Sequence, residues 1–187
     1  MGGVASRQLS TLLLGEHDGK EVAEHTLAAV TAAQALGPVE LLLGGEGCKS
    51  VAEGAASIAG VSSVTYVENA SLTKGVAEEW TPLVLAAQKA GGHCHVVASA
   101  SAFSKSLLPR VAAKLDVAQL SDVLEVQGES TFVRPMYAGN ALATVESNDA
   151  VKVLTVRPTV FDKAAREGGS AAVAAFGDAP AANGQVE

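Results

Sequence analysis

Aromatic residues make up only 4% of this 187-residue sequence, and it has just two cysteines, Cys48 and Cys94. Two thiols are too few for a disulfide framework and fit a reducing compartment. No apolar run approaches the ~20 residues that span a bilayer, so no membrane insertion is expected. Basic charge is also scarce: 13 Lys and Arg stand against 20 Asp and Glu, a formal net charge of −7. A mildly acidic surface has no general attraction for phosphate backbones, which argues against nucleic acid as a partner. Residues 1–10 contain neither the apolar core of a signal peptide nor an Arg-rich amphipathic stretch.

Several chemical motifs are missing as well. There is no G-x-G-x-x-G; the stretch Gly44 to Gly47 lacks a third glycine at the right spacing. A phosphate loop would need glycine at Leu14 and a hydroxyl at Glu21, so Gly19-Lys20 is only its tail end. His93-Cys94-His95 alternates across a strand, so the three cannot converge on one metal ion. No G-x-S-x-G elbow singles out a nucleophile, and no carboxylate pair stands out as an acid and base. No catalytic residue and no metal ligand is assigned.

What is abundant is alanine, valine and leucine, and apolar residues reach 48%. Short apolar runs at residues 9–14, 39–43, 63–67 and 95–99 alternate with helical patterns at 20–36, 48–59, 80–90 and 103–115. That alternation predicts an α/β fold: three layers, with a Rossmann-like parallel sheet covered by helices on both faces. Pro82 is expected in the first turn of its helix. Pro109 is expected to mark a helix start, leaving 103–108 as a separate turn. The pattern then changes. Residues 121–126, 131–137, 141–145 and 151–156 are strand-like with turn signals between them, which predicts a C-terminal antiparallel hairpin section. Residues 1–8 are expected to be disordered or tag-like, 9–162 to form a single α/β domain, and 163–187 to be a flexible Ala/Gly-rich linker.

Two stretches carry functional interest. Ala98 to Lys105 follows a buried strand and opens a helix, the place where parallel sheets bind ligands. It is either a hydroxyl-capped helix start or a phosphate-type pocket, intact or vestigial, built from Gly15, Ser101, Ser104 and Lys105. Arg134, Tyr137 and Asn140 on the hairpin section, with Arg110, are either ordinary decoration or interface anchors.

Five blocks resemble a known family: Thr81-Pro82-Leu83; SAFSKSLLPRVAAKL over 101–115; Ser121-Asp122; TFVRPMYAGNA over 131–141; and Val151-Lys152-Val153 with Val156-Arg157-Pro158. Together they resemble the N-terminal domain of the electron-transfer flavoprotein alpha subunit. The resemblance implies an adenine-nucleotide-hydrolase-like fold and a beta-subunit partner. It implies FAD held by a C-terminal domain that would follow this chain, and no cofactor within it. It implies electron transport in fatty-acid beta-oxidation, from acyl-CoA dehydrogenases to a quinone oxidoreductase. The setting would be the mitochondrial matrix or the bacterial cytoplasm. This chain would then be a scaffold and interface domain, an electron-carrier component rather than an enzyme. The alternative is a free-standing adenine-nucleotide-binding module using the strand-end pocket.

Overall fold

The computed structural model describes residues 9–177. Its first strand, β1 (Thr11–Leu14), is buried along its whole length. Side chains alternate across a strand, so Leu12 and Leu14 face one apolar layer and Leu13 the other. A strand apolar on both sides needs cover on both sides. Helices α1 (Glu24–Gln34) and α2 (Cys48–Ala55) supply Leu27, Val30 and Val51 to the layer that holds Leu13. Helices α3 (Ala77–Gly91) and α4 (Ala102–Leu115) supply Trp80, Leu83, Leu107 and Leu108 to the opposite layer.

The remaining strands of the main sheet are β2 (Val39–Gly45), β3 (Val61–Glu68), β4 (His95–Ser99), β5 (Gln119–Val123), β9 (Lys152–Val156) and β10 (Ala172–Ala175). All seven are parallel, in the order β10-β3-β2-β1-β4-β9-β5. A separate antiparallel sheet consists of β6 (Glu125–Val126), β7 (Thr131–Met136) and β8 (Ala141–Glu146). Phe132 of β7 anchors it to the core that contains Val123. The Rossmann-like parallel sheet with helices on both faces and an added antiparallel section is therefore present.

Four details depart from the sequence-based expectation. Of the segments at 121–126 and 151–156, only Glu125–Val126 joins the hairpin section, as β6; β5 and β9 are parallel members of the main sheet. Both carry apolar residues that the sheet buries, such as Val123, Val153 and Leu154. Pro82 is the sixth residue of α3 rather than a first-turn residue. Pro109 lies inside a continuous α4. Burial of Leu107, Leu108, Val111 and Ala112 along that helix holds it through the missing hydrogen bond.

The fourth departure is the supposed linker. Residues 163–177 lie against the domain: Ala59 N–H donates to Ala165 O at 2.9 Å, and Ala171 N–H donates to Ala56 O at 2.9 Å. Gly169 passes so close that a Cβ there would meet Ile58 O at 2.3 Å. Strand β10 then pairs in parallel with β3. The small residues that read as a linker permit this close approach. Residues 1–8 and 178–187, expected to be tag-like and linker, lie outside the described residues.

Candidate functional site

The two histidines of the His-Cys-His run are held by ordinary polar contacts. His93 sits 3.0 Å from Ser10 Oγ and 3.2 Å from Glu40 Oε2. His95 Nε2 donates to Glu129 O at 2.7 Å. Among the described residues no group of three His, Cys, Asp or Glu side chains is arranged to hold a metal.

The start of α4 is a cap. Ser101 accepts from Ser104 N–H at 3.1 Å, and Ser104 Oγ accepts from Ser101 N–H at 3.0 Å. Ser104 Oγ also donates to Ser99 O. The hydroxyls are thus committed to the backbone in a reciprocal capping box. Lys105 points outward and is exposed.

A cleft of about 430 Å³ does open at the carboxyl ends of the strands. Of the four residues expected there, it takes in Gly15 but not Ser101, Ser104 or Lys105. Its walls are Glu16 to Gly19 after β1, Gly44 and Glu46 at β2, Leu72 to Gly75, Trp80 and Phe103. Phe103 meets Trp80 edge-on, ring centroids 5.0 Å apart. The backbone N–H groups of Gly15, Glu16, Asp18, Gly19, Glu46 and Thr73 all donate within the protein. His17 Nδ1 accepts from Gly19 N–H at 3.1 Å, so its Nε2 carries the proton donated to Gly44 O, also at 3.1 Å. A phosphate cradle needs free amides, and these are engaged. The cleft is therefore poorly fitted to the pyrophosphate of FAD or to a nucleotide phosphate.

The expected interface residues do not form one cluster. Arg110 Nη1 pairs with Glu78 Oε1 at 2.9 Å, tying α4 to α3. Arg134, Tyr137 and Asn140 lie on or beside the β7–β8 hairpin. Arg134 Nη2 donates to Ser121 Oγ at 3.0 Å, while its Nε is buried with no hydrogen-bond partner. The adjacent Asp122 takes a left-handed φ of 61° at an irregularity in β5. It receives Arg157 Nε at 3.0 Å, with Arg157 Nη2 on its other oxygen. That carboxylate partner raises the Arg157 guanidinium above its usual pKa. The hairpin tip is strained: Tyr137, Ala138 and Gly139 take φ values of 50°, 54° and 92°. A non-glycine residue there costs on the order of 1–3 kcal/mol. Yet Tyr137 is 80% exposed, and Leu142 beside it is 67% exposed.

Leu142 and Asp122 were not singled out as site residues from sequence. Leu142, Thr144 and Glu146 share the exposed face of β8, so an apolar residue on a polar face was the available signal.

These features define a class: a doubly covered parallel α/β domain with a strand-end cleft poor in free amides and an exposed hairpin. The comparisons narrow it. Residues 11–181 match the electron transfer flavoprotein domain. The chain is 46% identical over 166 residues to the electron transfer flavoprotein subunit alpha of Pseudomonas aeruginosa, covering 88% of this chain and 53% of that protein. It is 41% identical over 174 residues to the mitochondrial alpha subunit of Dictyostelium discoideum, covering 89% of this chain and 49% of that protein. Paracoccus denitrificans has a third such relative, 45% identical over 166 residues, with 88% of this chain and 53% of the relative covered. This chain belongs to the electron transfer flavoprotein family. It spans about half the length of the alpha subunits it matches.

Proposed function

We propose that this chain is the scaffold and subunit-interface domain of an electron-transfer flavoprotein alpha subunit, and that it docks on the beta subunit through the β7–β8 hairpin. The observation that supports this most is the tip itself, where backbone strain holds a tyrosine almost wholly in water. Strain without an internal contact to compensate it is expected where a partner supplies the contact. Tyrosine and arginine are the usual anchors of such surfaces, and Arg134 has an unused buried donor behind the tip.

No side chain here can cycle electrons at useful potentials, so the redox chemistry belongs to the flavin. FAD would be held by the part of the alpha subunit outside this chain. This domain contributes docking geometry and no catalytic residue. The assembled heterodimer would carry electrons from acyl-CoA and other dehydrogenases to a quinone oxidoreductase. The compartment would be the mitochondrial matrix in a eukaryote or the cytoplasm in a bacterium. The engaged amides of the cleft weigh against the free-standing nucleotide module.

The test is binding of the beta subunit to Tyr137→Ala and Arg134→Ala, measured beside thermal melting of each variant alone. Tyr137→Ala should weaken assembly by roughly 30-fold or more, the scale of an interface hot spot. It should leave the melting temperature within a few degrees. Equal losses of affinity and stability in both variants would contradict the reading.

A further inference from the structure

We infer that the strand-end cleft is a binding site for a small planar organic cation, such as an aryl amidine or amine, and that it turns away phosphate esters. The cleft lies at the point where the sheet order reverses, between β1 with β2 on one side and β4 leading into α4 on the other. Parallel sheets bind their ligands at that point. Its volume of about 430 Å³ suits a small organic molecule.

The charge and hydrogen-bond inventory sets the sign of that molecule. Three carboxylates and one ammonium line the cleft: Glu16, Asp18, Glu46 and Lys74. Glu16 Oε1 has His25 Nε2 3.0 Å away. Asp18 is held anionic, its pKa lowered first by the backbone N–H of Glu21 and then by that of Lys20. Glu46 stands at the rim, exposed. The walls therefore offer acceptors and a net negative field, while the amides of Gly15, Glu16, Asp18, Gly19, Glu46 and Thr73 are already bonded. A concave site focuses such a field on whatever enters. Half-buried Phe103, packed edge-on against the buried Trp80, adds an apolar aromatic wall on which a flat cation can rest. The inference is independent of the hairpin docking, because the two sites share no residue.

The readout is built in. Trp80 is the sole tryptophan of the 187-residue chain and lines the cleft. Its fluorescence should be titrated, in the whole chain at constant ionic strength, with benzamidine, benzoate and AMP. Benzamidine and benzoate have nearly the same shape and opposite charge. Benzamidine should give a saturable change that benzoate and AMP do not. Glu46→Gln should weaken it roughly 3–10-fold, and Lys74→Met should strengthen it by a similar factor, the effect of one charge a few ångströms away near a surface. Both substituted side chains are at the rim, and unchanged melting would show that each variant is folded. Saturable AMP binding that Lys74→Met weakens would overturn the inference in favour of a nucleotide site. No saturable response to benzamidine would overturn it outright. So would a benzamidine response that ignores both substitutions, since the probe would then sit elsewhere.

Discussion

A tyrosine held at a φ of 50° with 80% of its surface in water makes two separable contributions. Its backbone strains the isolated domain, and its ring is available to a partner. Tyr137→Gly separates them. Glycine accepts the left-handed conformation without a Cβ clash, so the domain should melt no lower, and by up to ~1 kcal/mol higher. Affinity for the beta subunit should fall in the same variant. Chemical unfolding and a binding titration on one sample check both. A drop in stability would mean that the ring packs against its own domain. Elsewhere, burial pushes the pKa of His95 below the usual histidine value of 6.5. The unfolded chain then takes up this proton more readily than the folded one, so stability falls as pH drops below about 6.5. Glu40 adds to this at lower pH. Its carboxyl is held below 4.5, chiefly by the hydrogen bond from His93, so its contribution is present above that value and is lost as pH falls through its lowered pKa. Urea midpoints from pH 8 to 5 should decline, and His95→Gln should flatten the decline near pH 6.

Helix α4 tests how far local signals carry. Its sequence holds a proline at position 109, which by itself predicts a break. The break does not occur because the capping box fixes the start and the buried Leu107-Leu108 pair and Val111 fix the path. Removing the cap at its buried partner, with Ser104→Ala, should cost about 1–3 kcal/mol, since Ser101 N–H and Ser99 O both lose a hydrogen bond. Equilibrium unfolding would show it. Strand β10 was the least legible element. Alanine-rich Ala172–Ala175 has no alternation of large apolar and polar residues, and its partner β3 lies far back in the sequence. A chain ending at residue 162 should therefore melt several degrees lower and self-associate, because it bares the edge of β3. Size-exclusion chromatography with a thermal melt decides it. An unchanged melt would return the segment to linker status.

Across the whole molecule, the parallel sheet was legible because burial on both faces leaves runs such as Leu12-Leu13-Leu14 and Leu41-Leu42-Leu43 that few other folds demand. The placement of β5 and β9 was not, because pairing partners are chosen by tertiary packing rather than by local pattern. Of the candidate site, Tyr137 and Arg134 could be found in the sequence as an aromatic and a cation beside a Gly-Asn turn. The Asp122–Arg157 clamp and the cleft walls could not, since the clamp joins two residues 35 apart in the chain and the walls come from four or more separate segments. The position of β10 also bears on how this chain is made. During synthesis β3 leaves the ribosome long before its outer neighbour, with residues 69–171 made between them. At ~5–20 residues per second, that edge waits roughly 5–20 s for its last strand. The nascent domain is therefore most open to mispairing with a neighbouring chain on the same messenger, and a chaperone that shields strand edges would act in that interval.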